Sequence, residues 1–251
     1  MITIAVAPLT TTFLVAIRMC TVLLLSPIEA LRVVPIHARL LFVLILSALI
    51  ASHLNIKTEP YSEIALAIAG LSEFCNGLIL SLTLYAAFGV FQIAGELMDA
   101  QMGLNSQAIF NPTDNSHEPL SARLLMMLAV LYFFAVGGHF KLMQGLVFSF
   151  MIIPPGQLDL LNGYVPVIQQ CSMLFSLSIM MASPVVIGLL IIDISVAILN
   201  RNMPQISTYF LTLPIKITLG LIIFKLLLTY INPAIDYVFS SCFQSWKAVM
   251  A

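Results

Sequence analysis

The chain has 251 residues, of which 61% are hydrophobic and 8% charged, with a mean hydropathy of +1.06. Soluble globular domains carry about 25% charged residues, so the composition excludes a water-soluble domain and indicates an integral membrane protein or a subunit of a membrane-embedded complex. A formal net charge of −1 excludes a general electrostatic attraction to nucleic acid.

The N-terminus lacks both the Lys/Arg-rich start and the small-residue cleavage site of a signal peptide, so the first apolar run is expected to be a retained helix. A spanning helix needs about 20 mainly apolar residues. In chain order, residues 10–26, 40–54, 64–94, 120–138, 165–199 and 206–238 meet or approach that length. The third and fifth are too long for one simple span, because thirty residues rise about 45 Å against a hydrocarbon core of about 30 Å. They are expected to tilt, to break, or to extend beyond the membrane within an assembly. Ser183-Pro184 predicts a break that divides the fifth into 165–182 and 184–199. A shorter apolar stretch, 140–153, follows Gly137-Gly138-His139 and stops at Pro154-Pro155-Gly156, which reads as a half-helix or one arm of a hairpin. The remaining joints fall at Ser26-Pro27, Glu59-Pro60, Asn111-Pro112, Arg201-Asn202-Met203-Pro204 and Asn232-Pro233. Arg32 and Arg39 weakly favour a cytoplasmic first loop. There is no legible internal repeat, and the fold class is all-α.

The four cysteines, Cys20, Cys75, Cys171 and Cys242, lie far apart in apolar runs without metal-ligand or disulfide spacing, and are read as small buried hydrophobes. The histidines His37, His53, His117 and His139 are isolated, and HExxH, GxSxG and P-loop patterns are absent. No catalytic site, metal or cofactor is expected.

Charges inside the apolar runs carry the most information. Arg18, Glu73, Asp193, Lys216 and Lys225 would each cost about 2.5–3.5 kcal/mol at the centre of a lipid-facing helix. One reading is an ion or proton path; the other is pairing between helices and contact with other subunits. A transporter gathers such charges around one midplane site, and here they are scattered, which favours assembly contacts. Asp193 and Arg201 lie two helical turns apart, too far to pair directly, so each is expected to meet a neighbouring helix or chain. Glu96 and Asp99, three apart, share a helical face and read as a structural or capping pair before an acid–base one. Met98 and Met102 form an i,i+4 pair that suits packing or a soft seal.

The run Phe91-Gln92-Ile93-Ala94-Gly95-Glu96-Leu97-Met98-Asp99-Ala100-Gln101-Met102-Gly103, with Asn111-Pro112 after it, resembles the signature of the FliR family of flagellar type III export-gate membrane proteins. Gly138-His139 and Ser149-Phe150 with Pro154-Pro155-Gly156 look like the family's next block. Leu199-Asn200-Arg201 through Pro204-Gln205 to Leu213-Pro214-Ile215-Lys216 looks like its third, and Arg18, Pro27, Pro35 and Arg39 fall where the pattern places them. The related SctT family of virulence injectisomes is the nearest alternative. Gln101-Met102-Gly103 and Gly138-His139 look more flagellar. The family loop usually reads Asp-Pro, so Asn111 is given no charge-dependent role.

The resemblance implies a single membrane domain over residues 1–251, packed in a helical multi-subunit gate of the bacterial inner membrane and flagellar basal body, part of it on the periplasmic side. Its implied partners are FliP, FliQ and FlhB, with unfolded flagellar polypeptides in transit and membrane lipid around it. It is not an enzyme; a separate ATPase and the proton-motive force drive export. The polar loop of about 104–121 would plug the pore, with Met102, Asn105, Ile109, Phe110, Asn111 and Pro112 as pore or plug residues. Arg18, Glu73, Glu96, Asp99, Asp193, Arg201, Lys216 and Lys225 would be buried charges or assembly contacts. A small-solute or proton-coupled transporter is the alternative from a different class.

Overall fold

A computed structural model describes residues 2–28, 34–54, 63–104, 119–157, 160–202 and 208–250. Among the described residues there is no strand. The helices are α1 (Ile2–Leu24), α2 (Ile36–Leu54), α3 (Glu63–Met102), α4 (Leu120–Ala135), α5 (Gly138–Ile152), α6 (Leu160–Asn202), α7 (Thr208–Thr229) and α8 (Asn232–Met250). Four of them contain stretches long and apolar enough to cross a membrane: Ile36–His53, Ile64–Met102, Val165–Asn202 and Thr212–Thr229. Arg32, His117, Asn105, Ile109, Phe110, Asn111 and Pro112 lie outside the described residues.

The residues group into two compact units. Unit 1 comprises 1–87, 133–172 and 239–251, and unit 2 comprises 88–132 and 173–238. The chain passes from one to the other inside α3, α4, α6 and α8.

Of the two long helices, one stays within the sequence expectation and one corrects it. α3 runs unbroken for 40 residues and carries the whole signature segment to its C-terminus, a rise of about 60 Å. α6 continues for 43 residues through Ser183-Pro184, where a break is expected. Proline deprives the carbonyl four residues back of its donor, which here is that of Met180. The Ser183 hydroxyl donates to this same carbonyl at 2.8 Å. Neighbouring Ser and Thr hydroxyls are one way in which apolar helices tolerate proline.

Elsewhere the breaks follow local chemistry. Gly137 separates α4 from α5 in a left-handed conformation, φ 73° and ψ 27°, which costs a residue with a Cβ about 1–2 kcal/mol. The apolar run 206–238 is divided after Thr229, and Pro233 sits in the first turn of α8, a place where its missing N–H costs nothing.

In unit 1, α1 packs against α2 and, along a glycine seam, against α3. A Cβ on Gly77 would lie 2.8 Å from Thr21 Cβ and 3.0 Å from the Arg18 carbonyl oxygen, so only glycine permits this backbone approach. The core adds Leu146 and Phe150 from α5 and Trp246 from α8, whose indole N–H donates to the Thr83 hydroxyl. Cys242 is buried beside it and donates to the Thr83 carbonyl, and burial pushes its thiol pKa up to about 12. Cys20 and Cys75 are half-buried, but Cys171 is exposed. The expectation of four buried thiols fails there because α6 presents an uncovered apolar face.

Candidate functional site

In unit 2, the end of α3 gathers four helices around the signature residues. Phe91, Ala94, Met98 and Met102 form a buried stripe at helical spacing. Gly95 meets α4 backbone to backbone: a Cβ there would lie 2.2 Å from Ala122 Cα and 2.3 Å from its nitrogen.

One turn later Asp99, fully buried, accepts the Ser121 backbone N–H at 2.8 Å. Arg123 N–H bonds to the Pro119 carbonyl, which makes Pro119 the N-cap residue of α4 and Ser121 its second helical position. A side-chain cap normally serves this N–H or the next, and proline has no side-chain acceptor to offer. Asp99 therefore caps α4 from another helix, with its charge at the positive end of the helix dipole. The two sides of the segment 105–118 are tied together by this bond.

Gln101 and Met102 reach the other helices. The Gln101 side-chain amide donates to Asp193 Oδ2 on α6 at 3.1 Å, and Lys216 on α7 pairs with Asp193 Oδ1 at 2.5 Å. One carboxylate thus joins α3, α6 and α7. The pair is partly exposed, which limits its worth to about 1 kcal/mol or less where water reaches it. Met102 seats against Gly220 of α7, where a Cβ would come within 2.6 Å of its Sδ. Gly103 ends α3 with φ +79° and contacts Leu213. Gly103→Ala is expected to cost about 1 kcal/mol through the left-handed backbone alone, read as a lower thermal midpoint of the detergent-solubilised protein.

Unit 1 holds the second charged cluster. Arg18 Nε and Nη2 grip both oxygens of Glu73 at 2.6 and 2.9 Å, and both side chains are fully buried. The guanidinium also donates to the Ser149 carbonyl and hydroxyl and to the Ile153 carbonyl, and lies 4.3 Å over the Phe150 ring. Glu73 Oε1 further accepts the Gly156 N–H, and Asn76 donates to the Gln157 carbonyl. The turn Pro154-Pro155-Gly156 is held by α1 and α3 together.

Arg18 with Glu73, and Asp193 with Lys216, pair between helices of this chain, as the reading of pairing between helices expects, because folding brings together residues 55 and 23 apart in sequence. Glu96 and Asp99 do not form a unit. Three residues turn a helix by 300°, and that offset leaves Glu96 exposed, where it accepts from Gln92, while Asp99 is buried. Arg201 in the last turn of α6 and Lys225 on α7 are exposed and form no ion pair among the described residues. Sequence reasoning missed Ser121, Gln101 as a ligand of Asp193, Gly220, Ser149 and Gly156. Only Ser121 carried a local signal, being the first small polar residue after the segment's closing proline. Among the described residues no three His, Cys, Asp or Glu side chains gather as a metal site requires.

A family model described as "Bacterial export proteins, family 1" matches residues 9–242. The flagellar biosynthetic protein FliR of Escherichia coli K12 is 30% identical over 230 residues, covering 91% of this chain and 88% of the relative. The FliR proteins of Pectobacterium carotovorum and Bacillus subtilis 168 are 28% and 27% identical, covering 91% and 95% of this chain and 88% and 93% of their own lengths.

Proposed function

We infer the role of this chain from the premise that it belongs to family 1 of the bacterial export proteins. It is a membrane-embedded subunit of the flagellar protein export apparatus, similar in nearly its whole length to proteins named flagellar biosynthetic protein FliR. The observation that carries the mechanism is the bond between Asp99 and Ser121, which joins the end of α3 to the start of α4, the two described helices on either side of residues 105–118 in sequence. A channel for unfolded chains needs an obstruction that packs when idle and yields in use. Ile109 and Phe110 supply an apolar tip to that segment, while Asn105, Asn111 and Pro112 sit in a polar, turn-prone frame. We assign them, with Met102 beneath, to a plug across the export pore.

Deleting 109–115 is expected to leave the complex assembled and make it leaky to ions, measured as conductance in membranes that hold the complete gate. Unchanged conductance removes the plug assignment.

The uncovered apolar side chains of α6, among them Ile179, Met180, Ile187 and Ile191, together with exposed Arg201, Lys225 and Glu96, suit contact with FliP, FliQ and FlhB better than contact with lipid. An unpaired cation against hydrocarbon costs about 2.5–3.5 kcal/mol. In this reading the subunit is structural, and part of the gate stands on the periplasmic side of the inner membrane. The mass of the detergent-extracted particle tests it: a fixed-ratio complex well above the 27.5 kDa of one chain supports the assembly, and a stable monomer refutes it.

A further inference from the structure

We propose that the α3–α4 contact at Asp99 and Ser121 is a two-state seam, with Asp99 a positioning residue whose cap is made in the closed state and released in a second, hydrated one. The hydrogen bond from the Ser121 N–H to Asp99 Oδ2 holds the seam closed. Beside that bond, and among the described residues, neither Asp99 Oδ1 nor the Ser121 hydroxyl has a hydrogen-bond partner, although both side chains are buried. Buried polar atoms without partners destabilise the state that buries them. Parting the helices would let water reach both atoms, so opening recovers at this place part of what it costs. At this level Gly95 meets Ala122 backbone to backbone, so no side chain at position 95 has to be withdrawn when the helices part.

The two unpaired atoms predict variants of opposite sign, which a simple stabilising bond would not give. Asp99→Ala removes the cap and opens the seam. Ser121→Ala deletes a loose hydroxyl while keeping the N–H, and strengthens closure. Asp99→Asn keeps an acceptor for that N–H but gives up the charge at the helix N-terminus, so it weakens closure less than Asp99→Ala does.

Hydrogen–deuterium exchange of the first turn of α4, residues 120–124, in the intact detergent-extracted complex reads the seam directly. Exchange at least tenfold faster in Asp99→Ala, intermediate in Asp99→Asn, and several-fold slower in Ser121→Ala supports the proposal. Unchanged or faster exchange in Ser121→Ala overturns it, even if Asp99→Ala fails to assemble. The consequence for export rests on the function proposed above, under which Ser121→Ala secretes less. Normal secretion alongside slowed exchange would leave the seam standing and remove its part in export.

Discussion

Arg18→Ala is expected to destabilise the protein by about 3–5 kcal/mol, the cost of breaking a buried ion pair from one side. Glu73 would remain fully buried with the Gly156 N–H as its remaining hydrogen-bond partner among the described residues. At the same time the Ile153 carbonyl would lose the Arg18 donor and the Ser149 carbonyl would be left with the Ile153 N–H alone of its two, and the turn that follows α5 would come loose from α1. The partner deletion, Glu73→Ala, is expected to do comparable harm by stranding the guanidinium. An apolar double replacement, Arg18→Met with Glu73→Leu, removes both charges and keeps volume. Well-packed replacements of buried ion pairs are often neutral or better, so the double variant should recover at least half of the single variant's loss. Retention of the monodisperse chromatographic peak after graded heating checks this. A double variant as unstable as Arg18→Ala would mean that the carbonyl contacts, and not the charge pair, hold this part of unit 1.

Gly95→Ala is the second large effect expected. Its Cβ would enter the backbone of Ala122 at 2.2–2.3 Å, well inside any tolerated carbon contact, so α3 and α4 must separate. Overpacking costs about 1–3 kcal/mol when side chains can adjust, and backbone has little freedom to do so. Asp99 lies one turn further along the same face and Ser121 is the chain neighbour of Ala122, so the cap should fail with the packing. The discriminating variant is Gly95→Ala with Ala122→Gly. It relieves only the 2.8 Å contact with the Ala122 Cβ and leaves the two backbone contacts, so yield of assembled complex should stay low. Full recovery would show that side-chain crowding alone excludes a Cβ at position 95.

The helical kind of the chain and most of its joints were readable because hydropathy and proline placement are local properties. The long apolar runs 64–94 and 165–199 appear as α3 and α6, and the joint before Pro233 appears where the turn chemistry puts it. What failed was non-local or depended on a single atom. Pro184 read as a break because nothing in a pattern says that the preceding serine hydroxyl will replace the lost donor. The partner of Arg18 lies 55 residues away, beyond any spacing rule, so the pattern allowed pairing between helices without naming Glu73. Glu96 and Asp99 look alike as letters, yet 60° of helix rotation puts one in solvent or lipid and the other in the core. The signature was legible as a block, while its internal division of labour, with Gly95 and Asp99 turned to α4, Gln101 to α6 and Met102 to α7, emerged only with the fold.

The repair beside Pro184 ties the continuity of α6 to a single side chain. With the Met180 carbonyl answered by the Ser183 hydroxyl, no acceptor is stranded at the proline, and the helix runs from Leu160 to Asn202. Without that oxygen atom the carbonyl would go unanswered where the proline ring already crowds the preceding turn, so the length of this rod leans on a group too small to register in any hydropathy profile.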